Sequence, residues 1–224
     1  MSKQSGVSQE EVKEGLEDAL AGKSEEETES IIGLLGQFLA QGGSIINCAV
    51  EALGEVLNVV SKGVLGLQAL LVEISTGLFE KNNEDLINAG ETQLMTSMST
   101  MKEIMAEYGK EAEGYMSDLE TIMAEMKQGE SVIVWVNEDH YITVTKMENG
   151  NYSVVDPNVK NGDKVEYTRE GLKEVLSGGK GIDARGREVG VSYKAIGEDG
   201  KVRVLSASEG LKQAEKEGKV IKGY

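Results

Sequence analysis

His140-Tyr-Ile-Thr-Val-Thr-Lys-Met147-Glu-Asn-Gly150-Asn-Tyr152-Ser-Val-Val-Asp156-Pro157 is the stretch on which the reading of this chain turns. Residues 141–147 and 152–155 have the Val, Ile, Thr and Tyr content of strands, and Glu148-Asn149-Gly150 between them is turn chemistry. A three-residue loop with Gly150 in the left-handed conformation sets Met147 opposite Asn151, so that paired residue numbers sum to 298. Asp156 then lies opposite Ile142, on the face of His140 and diagonal to it, within reach of one ring N–H. A two-residue Asn-Gly loop would raise the sum to 299 and put the two side chains on opposite faces. Pro157, the only proline, closes the second strand.

Upstream, Val132-Ile-Val-Trp-Val136 is an unbroken apolar run, a buried strand by its length. A helix is expected over 117–127, opened by the capping-box pattern Ser117-Asp-Leu-Glu and ended by Gly129. Residues 83–109 read as one long helix, because Leu94, Met98, Met101, Met105 and Tyr108 step by four, three, four and three. Such a stripe faces a core first, and a pliable partner-binding groove second. Earlier still, helical spacing recurs at 10–21, at 31–39 after a charged break over 25–29, and at 50–60; residues 65–79 form a further apolar segment interrupted by glycine. Downstream come a short helix from Thr168 to Leu176, an alternating pair (188–196 and 201–205) around Gly197-Glu-Asp-Gly200, and a terminal helix over 206–216.

The order of elements points to an α+β fold, helices first and an antiparallel sheet after. Three parts are expected: an acidic helical extension over 1–40, a central domain over 41–180, and a hairpin and helix tail over 181–224.

Charge and composition remove several functions. Of 224 residues, 39 are acidic and 23 basic, a net charge of −16 that repels phosphate backbones, so no nucleic-acid partner is expected. The most apolar stretch, 31–79, is broken by Gln37, Gln41, Glu51, Glu55, Lys62 and Glu73, and no run approaches the ~18 apolar residues of a membrane span. One cysteine leaves no internal disulfide, and one histidine excludes the usual multi-His or Cys/His metal sites, so neither metal nor cofactor is expected. The start, MSKQSGVSQEEVKEG, has no apolar core of a secretory signal, and a lone thiol without an export signal suits the cytoplasm.

Chemistry gathers on the sole cysteine, the sole histidine and the aspartate before the proline. Asn47 is a good N-cap, which makes Cys48 the first residue of a helix. Helix N-termini favour a thiolate, and a neighbouring imidazole completes an ion pair that is nucleophilic at neutral pH. Asp156 would orient His140. The backbone N–H of Cys48 and a side-chain amide, Gln41 or else Gln37, are the candidate donors to an oxyanion.

At these residues the chain resembles the papain-like cysteine peptidases that remove double-glycine leaders from bacteriocin precursors, and their stand-alone relatives. Asn47-Cys48-Ala-Val-Glu-Ala-Leu-Gly-Glu-Val-Leu57 is similar to that family's Asp-Cys-Gly-x-x-x-Leu-x-x-x-Leu helix. His140-Tyr-Ile-Thr-Val144 and Tyr152-Ser-Val-Val-Asp156-Pro157 resemble its two strands, with the expected interval of 16, and Thr168 to Gly178 resembles the segment that ends the domain. The resemblance covers about 41–180. It implies Cys48 as nucleophile, His140 as general base and acid, Asp156 behind it, and a peptide or protein substrate cut after small or glycine residues. Ala49 and Asn47 depart from the family's Gly and Asp, and Gln41 lies one residue farther from the cysteine than the family's oxyanion Gln. No Walker-type phosphate loop accompanies the domain. Two further readings stand beside the hydrolase: a peptide-binding module on the same fold, and a helical interaction protein that uses the Met stripe.

Overall fold

The computed structural model describes residues 9–159 and 164–223. Their contacts fall into two compact units, one running up to Gly54 and from Asn58 to Glu107, the other comprising Glu55–Leu57 and Tyr108 onward.

The first unit is helical: α1 (Gln9–Leu20), α2 (Glu25–Ala40), α3 (Cys48–Leu57, of which the last three residues group with the second unit), α4 (Lys62–Ser75), α5 (Leu78–Asn88) and α6 (Met98–Glu107). Helix α4 packs on α1, α5 and α6, and α2 packs on α5. Ile31, Phe38, Ile74, Phe79, Ile87 and Leu94 lie in its core, to which α2 contributes Ile31 and Phe38. The acidic run taken as a break is the first turn of α2. Ser24 accepts from the Glu27 N–H at 3.2 Å, and the Glu27 carboxylate accepts from the Ser24 N–H at 2.8 Å. Carboxylates at 25–27 also suit the positive end of the helix.

The single helix expected over 83–109 is two, α5 and α6, joined by an extended strap over 89–97. Gly90 turns the chain out of α5 at φ +88°. Buried polar side chains then take over the strap's backbone groups. Asn83 exchanges two hydrogen bonds with Met95, Asn47 donates to the Leu94 carbonyl at 2.6 Å, and Glu73 accepts from the Ser97 N–H at 2.9 Å. Leu94 therefore leaves the Met stripe, while Met101 and Met105 are fully buried. Met98 is half-buried and Tyr108, past the end of α6, is 38% exposed, so only the middle of the stripe is core.

The second unit is built on a seven-stranded antiparallel sheet in the order β5-β4-β3-β2-β6-β1-β7. The strands are β1 (Glu113–Ser117), β2 (Ser131–Val136), β3 (His140–Lys146), β4 (Tyr152–Val155), β5 (Val165–Tyr167), β6 (Val202–Ser206) and β7 (Ile221–Lys222). Helices α7 (Leu119–Glu125), α8 (Arg169–Leu176) and α9 (Glu209–Lys216) supply Ile122, Leu172 and Leu211 to a core shared with Val134, Ile142, Val144 and Val204. Asp118, not Ser117, caps α7, accepting from the Thr121 N–H at 2.8 Å, because Ser117 is the last residue of β1.

The C-terminal residues complete this sheet. The hairpin expected between 188–196 and 201–205 does not form. Instead β6 inserts between β2 and β1, with Ile133 opposite Leu205 and Tyr115 opposite Val204. Val202, Val204 and Leu205 are all buried, the pattern of an interior strand. The segment 188–196 keeps only isolated bridges, Ile182 with Glu188 and Ser177 with Lys194. The last strand, β7, pairs with β1.

Between β3 and β4 the register is that of the three-residue loop: Thr143 faces Val155 and Lys146 faces Tyr152, a sum of 298. Gly150 has φ +84°, and the Met147 N–H donates to the Asn151 carbonyl at 2.8 Å. Among the described residues no single helix is long and apolar enough to cross a membrane.

Candidate active site

His140 is the first residue of β3, directly after a tight turn over 137–139. Asn137 and Glu138 both sit in the left-handed region, at φ 57° and 71°. That conformation is rare for side chains other than Asn, Asp and Gly. It is held from outside: the Asn137 N–H donates to the Lys194 carbonyl at 2.9 Å, and the Lys194 N–H donates to Asn137 Oδ1 at 2.8 Å. The turn returns the chain so that His140 pairs with Val136.

The register between β3 and β4 brings His140 and Asp156 together, as parity requires. His140 Nε2 lies 2.7 Å from Asp156 Oδ1, and each residue is only 7% exposed. Asp156 also accepts from the Asn158 N–H at 2.8 Å on Oδ1 and from the Tyr193 hydroxyl at 2.7 Å on Oδ2. Burial alone would raise this carboxyl, but the hydrogen bonds from His140, Tyr193 and Asn158 outweigh it and hold the group below its ordinary range. An ionised carboxylate only accepts, so Nε2 carries the proton and Nδ1 is the basic nitrogen of the neutral ring. The exposed Asn158 amide stands 3.4 Å from Nδ1, a long contact.

Tyr193 was not legible as a site residue. It lies in the tail, in a stretch whose alternation suggested only a strand. The phenol is pushed well above its usual range, first by burial and then by its bond to Asp156, so it acts as a donor.

Cys48 begins α3, half-buried and with a free thiol. Asn47 caps the helix as expected: its Oδ1 accepts from the Val50 N–H at 3.1 Å, while its amide donates to the Leu94 carbonyl and to Thr96 Oγ1 at 2.9 Å. The cap is thus locked from both sides, and the N–H groups of the first turn have no partner within the helix.

Gln41 ends α2, and its Nε2 donates to the Ile87 carbonyl at 3.0 Å; Gln37 Nε2 reaches the same oxygen at 3.2 Å. Both amides therefore satisfy the end of α5. Gln41 Nε2 has a second hydrogen, and its buried Oε1 has no partner. Gln37, Gln41 and Cys48 belong to the helical unit; His140, Asp156 and Tyr193 belong to the sheet unit.

The described chain is α+β, and its antiparallel sheet carries an imidazole hydrogen-bonded to a carboxylate. The Peptidase C39 family model matches residues 81–178, a stretch that includes His140 and Asp156. This is the bacteriocin-processing, papain-like family of cysteine peptidases whose motifs the sequence resembles, and the likeness of this chain to it lies in the matched stretch. Gln41 and Cys48 precede the matched stretch and Tyr193 follows it. No curated protein and no solved structure matches the chain.

Proposed function

We propose that the protein is a thiol hydrolase that cleaves a peptide through Cys48, His140 and Asp156. The observation that carries this reading is the buried imidazole–carboxylate pair, 2.7 Å long, which leaves Nδ1 as the ring's proton acceptor. In the proposed reaction His140 Nδ1 takes the proton of the Cys48 thiol, and Sγ attacks the scissile carbonyl. The tetrahedral oxyanion is held by the Cys48 backbone N–H and the second hydrogen of Gln41 Nε2. The imidazolium then protonates the leaving amine, the acyl-enzyme forms, and water activated by Nδ1 releases the product acid. Asp156 remains ionised throughout and stabilises the imidazolium. Small or glycine residues at the cut follow from the resemblance described above.

One observation favours the second reading, a peptide-binding module with little turnover. The Gln41 amide already serves the Ile87 carbonyl, which weakens it as an oxyanion donor.

An electrophilic probe such as iodoacetamide tests the hydrolase. Labelling at pH 6 is expected in the wild type, absent in Cys48→Ala and slowed more than about tenfold in His140→Ala. Labelling that is indifferent to the histidine change removes the thiol–imidazole partnership and with it the hydrolase.

A further inference from the structure

Asp156 has two oxygens, and they are not equally held. His140 and the Asn158 N–H both use Oδ1, whereas the Tyr193 hydroxyl is the donor to Oδ2. A carboxylate anchored through one oxygen can rotate about its terminal bond. One anchored through both presents a single acceptor geometry to the ring behind which it stands.

Tyr193 is itself over-determined. It is 4% exposed, its ring lies in the core of the sheet unit, and its N–H donates to the Val175 carbonyl of α8 at 2.8 Å. Two residues on, the Ala195 N–H donates to the Leu176 carbonyl at 2.9 Å. Between them Lys194 clamps Asn137 of the strained turn that precedes His140. One short piece of the tail therefore braces both members of the pair, the carboxylate through a side chain and the imidazole through the turn that launches β3. This piece lies outside the stretch that matches the peptidase family.

We propose that Tyr193 is a positioning residue for the candidate active site: by holding Asp156 Oδ2 it fixes the carboxylate that keeps His140 in its Nε2–H tautomer, with Nδ1 as the base. This rests on the hydrolase reading for its consequence in catalysis, but not for its effect on the ring.

His140 is the only histidine in the chain, so nitrogen NMR of the untagged protein contains one imidazole, and its two ring-nitrogen shifts report the tautomer directly. Tyr193→Phe keeps the ring in the core and removes only the hydroxyl. The expected result is a move of the neutral-ring shifts from the Nε2–H pattern toward a tautomer mixture, with iodoacetamide labelling of Cys48 slowed about tenfold. Tyr167→Phe is the control for core disturbance. That phenol is buried in the same core and its hydroxyl has no partner, so both readouts should stay at wild-type values. Ring-nitrogen shifts in Tyr193→Phe identical to the wild type overturn the proposal. Labelling that ignores His140→Ala overturns the hydrolase reading instead, and the tautomer measurement still decides the place of Tyr193.

Discussion

Two buried carboxylates, one in each unit, show how the same satisfied acid can serve different ends. Glu73 in α4 is 2% exposed and Asp156 after β4 is 7% exposed. Glu73 accepts from the Ser97 N–H and the Thr100 hydroxyl on one oxygen, and from the Asn82 amide at 2.9 Å on the other. Its three donors are neutral and none titrates near neutrality, so the acid ties α4 to the strap and to the first turn of α6. Asp156 also accepts three bonds, but one donor is an imidazole. Burial with hydrogen bonds is common to both. What distinguishes the acid of the proposed site from a structural one is a partner that can change its proton count.

The sharpest break in that comparison is a pair of isosteric amides. Asp156→Asn should lower the His140-dependent labelling of Cys48 by about 10²–10⁴-fold, because an amide can donate to Nε2 and reverse the tautomer. Glu73→Gln should change it by less than about threefold. Equal losses would mean that both acids act only through the fold.

Stability should rank the two residues the other way. Glu73→Ala leaves the buried Thr100 hydroxyl and the half-buried Ser97 and Asn82 donors without this acceptor, and is expected to cost about 3 kcal/mol in urea unfolding. The His140 ring signals should be unmoved.

Acid should separate the wild type from Asp156→Asn. The folded Asp156 carboxyl lies below its ordinary 3.8, so the stabilisation it contributes is complete above that value and disappears as pH falls through the folded one. Urea midpoints should therefore fall more steeply for the wild type between about pH 5 and pH 2, and the two proteins should converge at the acid end. Parallel curves would show that Asp156 is not held as an anion.

Smaller effects sharpen the local picture. Gly150→Ala forces a Cβ into a φ of +84° and should cost about 1 kcal/mol, or about 2–4 °C in Tm. Asn158→Ala removes the long contact to Nδ1 and should raise Cys48 labelling by less than about threefold.

The parts of the candidate site that were legible rest on short-range rules. The pairing of His140 with Asp156 followed from a loop length and a two-residue period, and the placement of Cys48 followed from Asn47 as a cap. Parts of the fold were missed for local reasons as well. Ser24 and Glu27 spell a capping box, but the surrounding acids made the start of α2 read as a break. The strap over 89–97 was missed for a tertiary reason: the three-and-four spacing runs straight through it, and only Asn47, Asn83 and Glu73, brought from three separate helix segments, make an extended path favourable. Strand β1, Glu113-Gly-Tyr-Met-Ser117, has no β-branched residue and owes its conformation to β6 and β7 on either side.

By itself the sequence determined the helix caps, the bulged turn at Gly150 and the shared face of His140 and Asp156, because each depends on residues a few positions apart. Only the tertiary structure decided that β6 would lie between β2 and β1, and that Tyr193 would hold the second oxygen of Asp156 from 37 residues away. Strand neighbours and buried hydrogen-bond partners are chosen by which surfaces close over a common core, and no local period or composition encodes that choice.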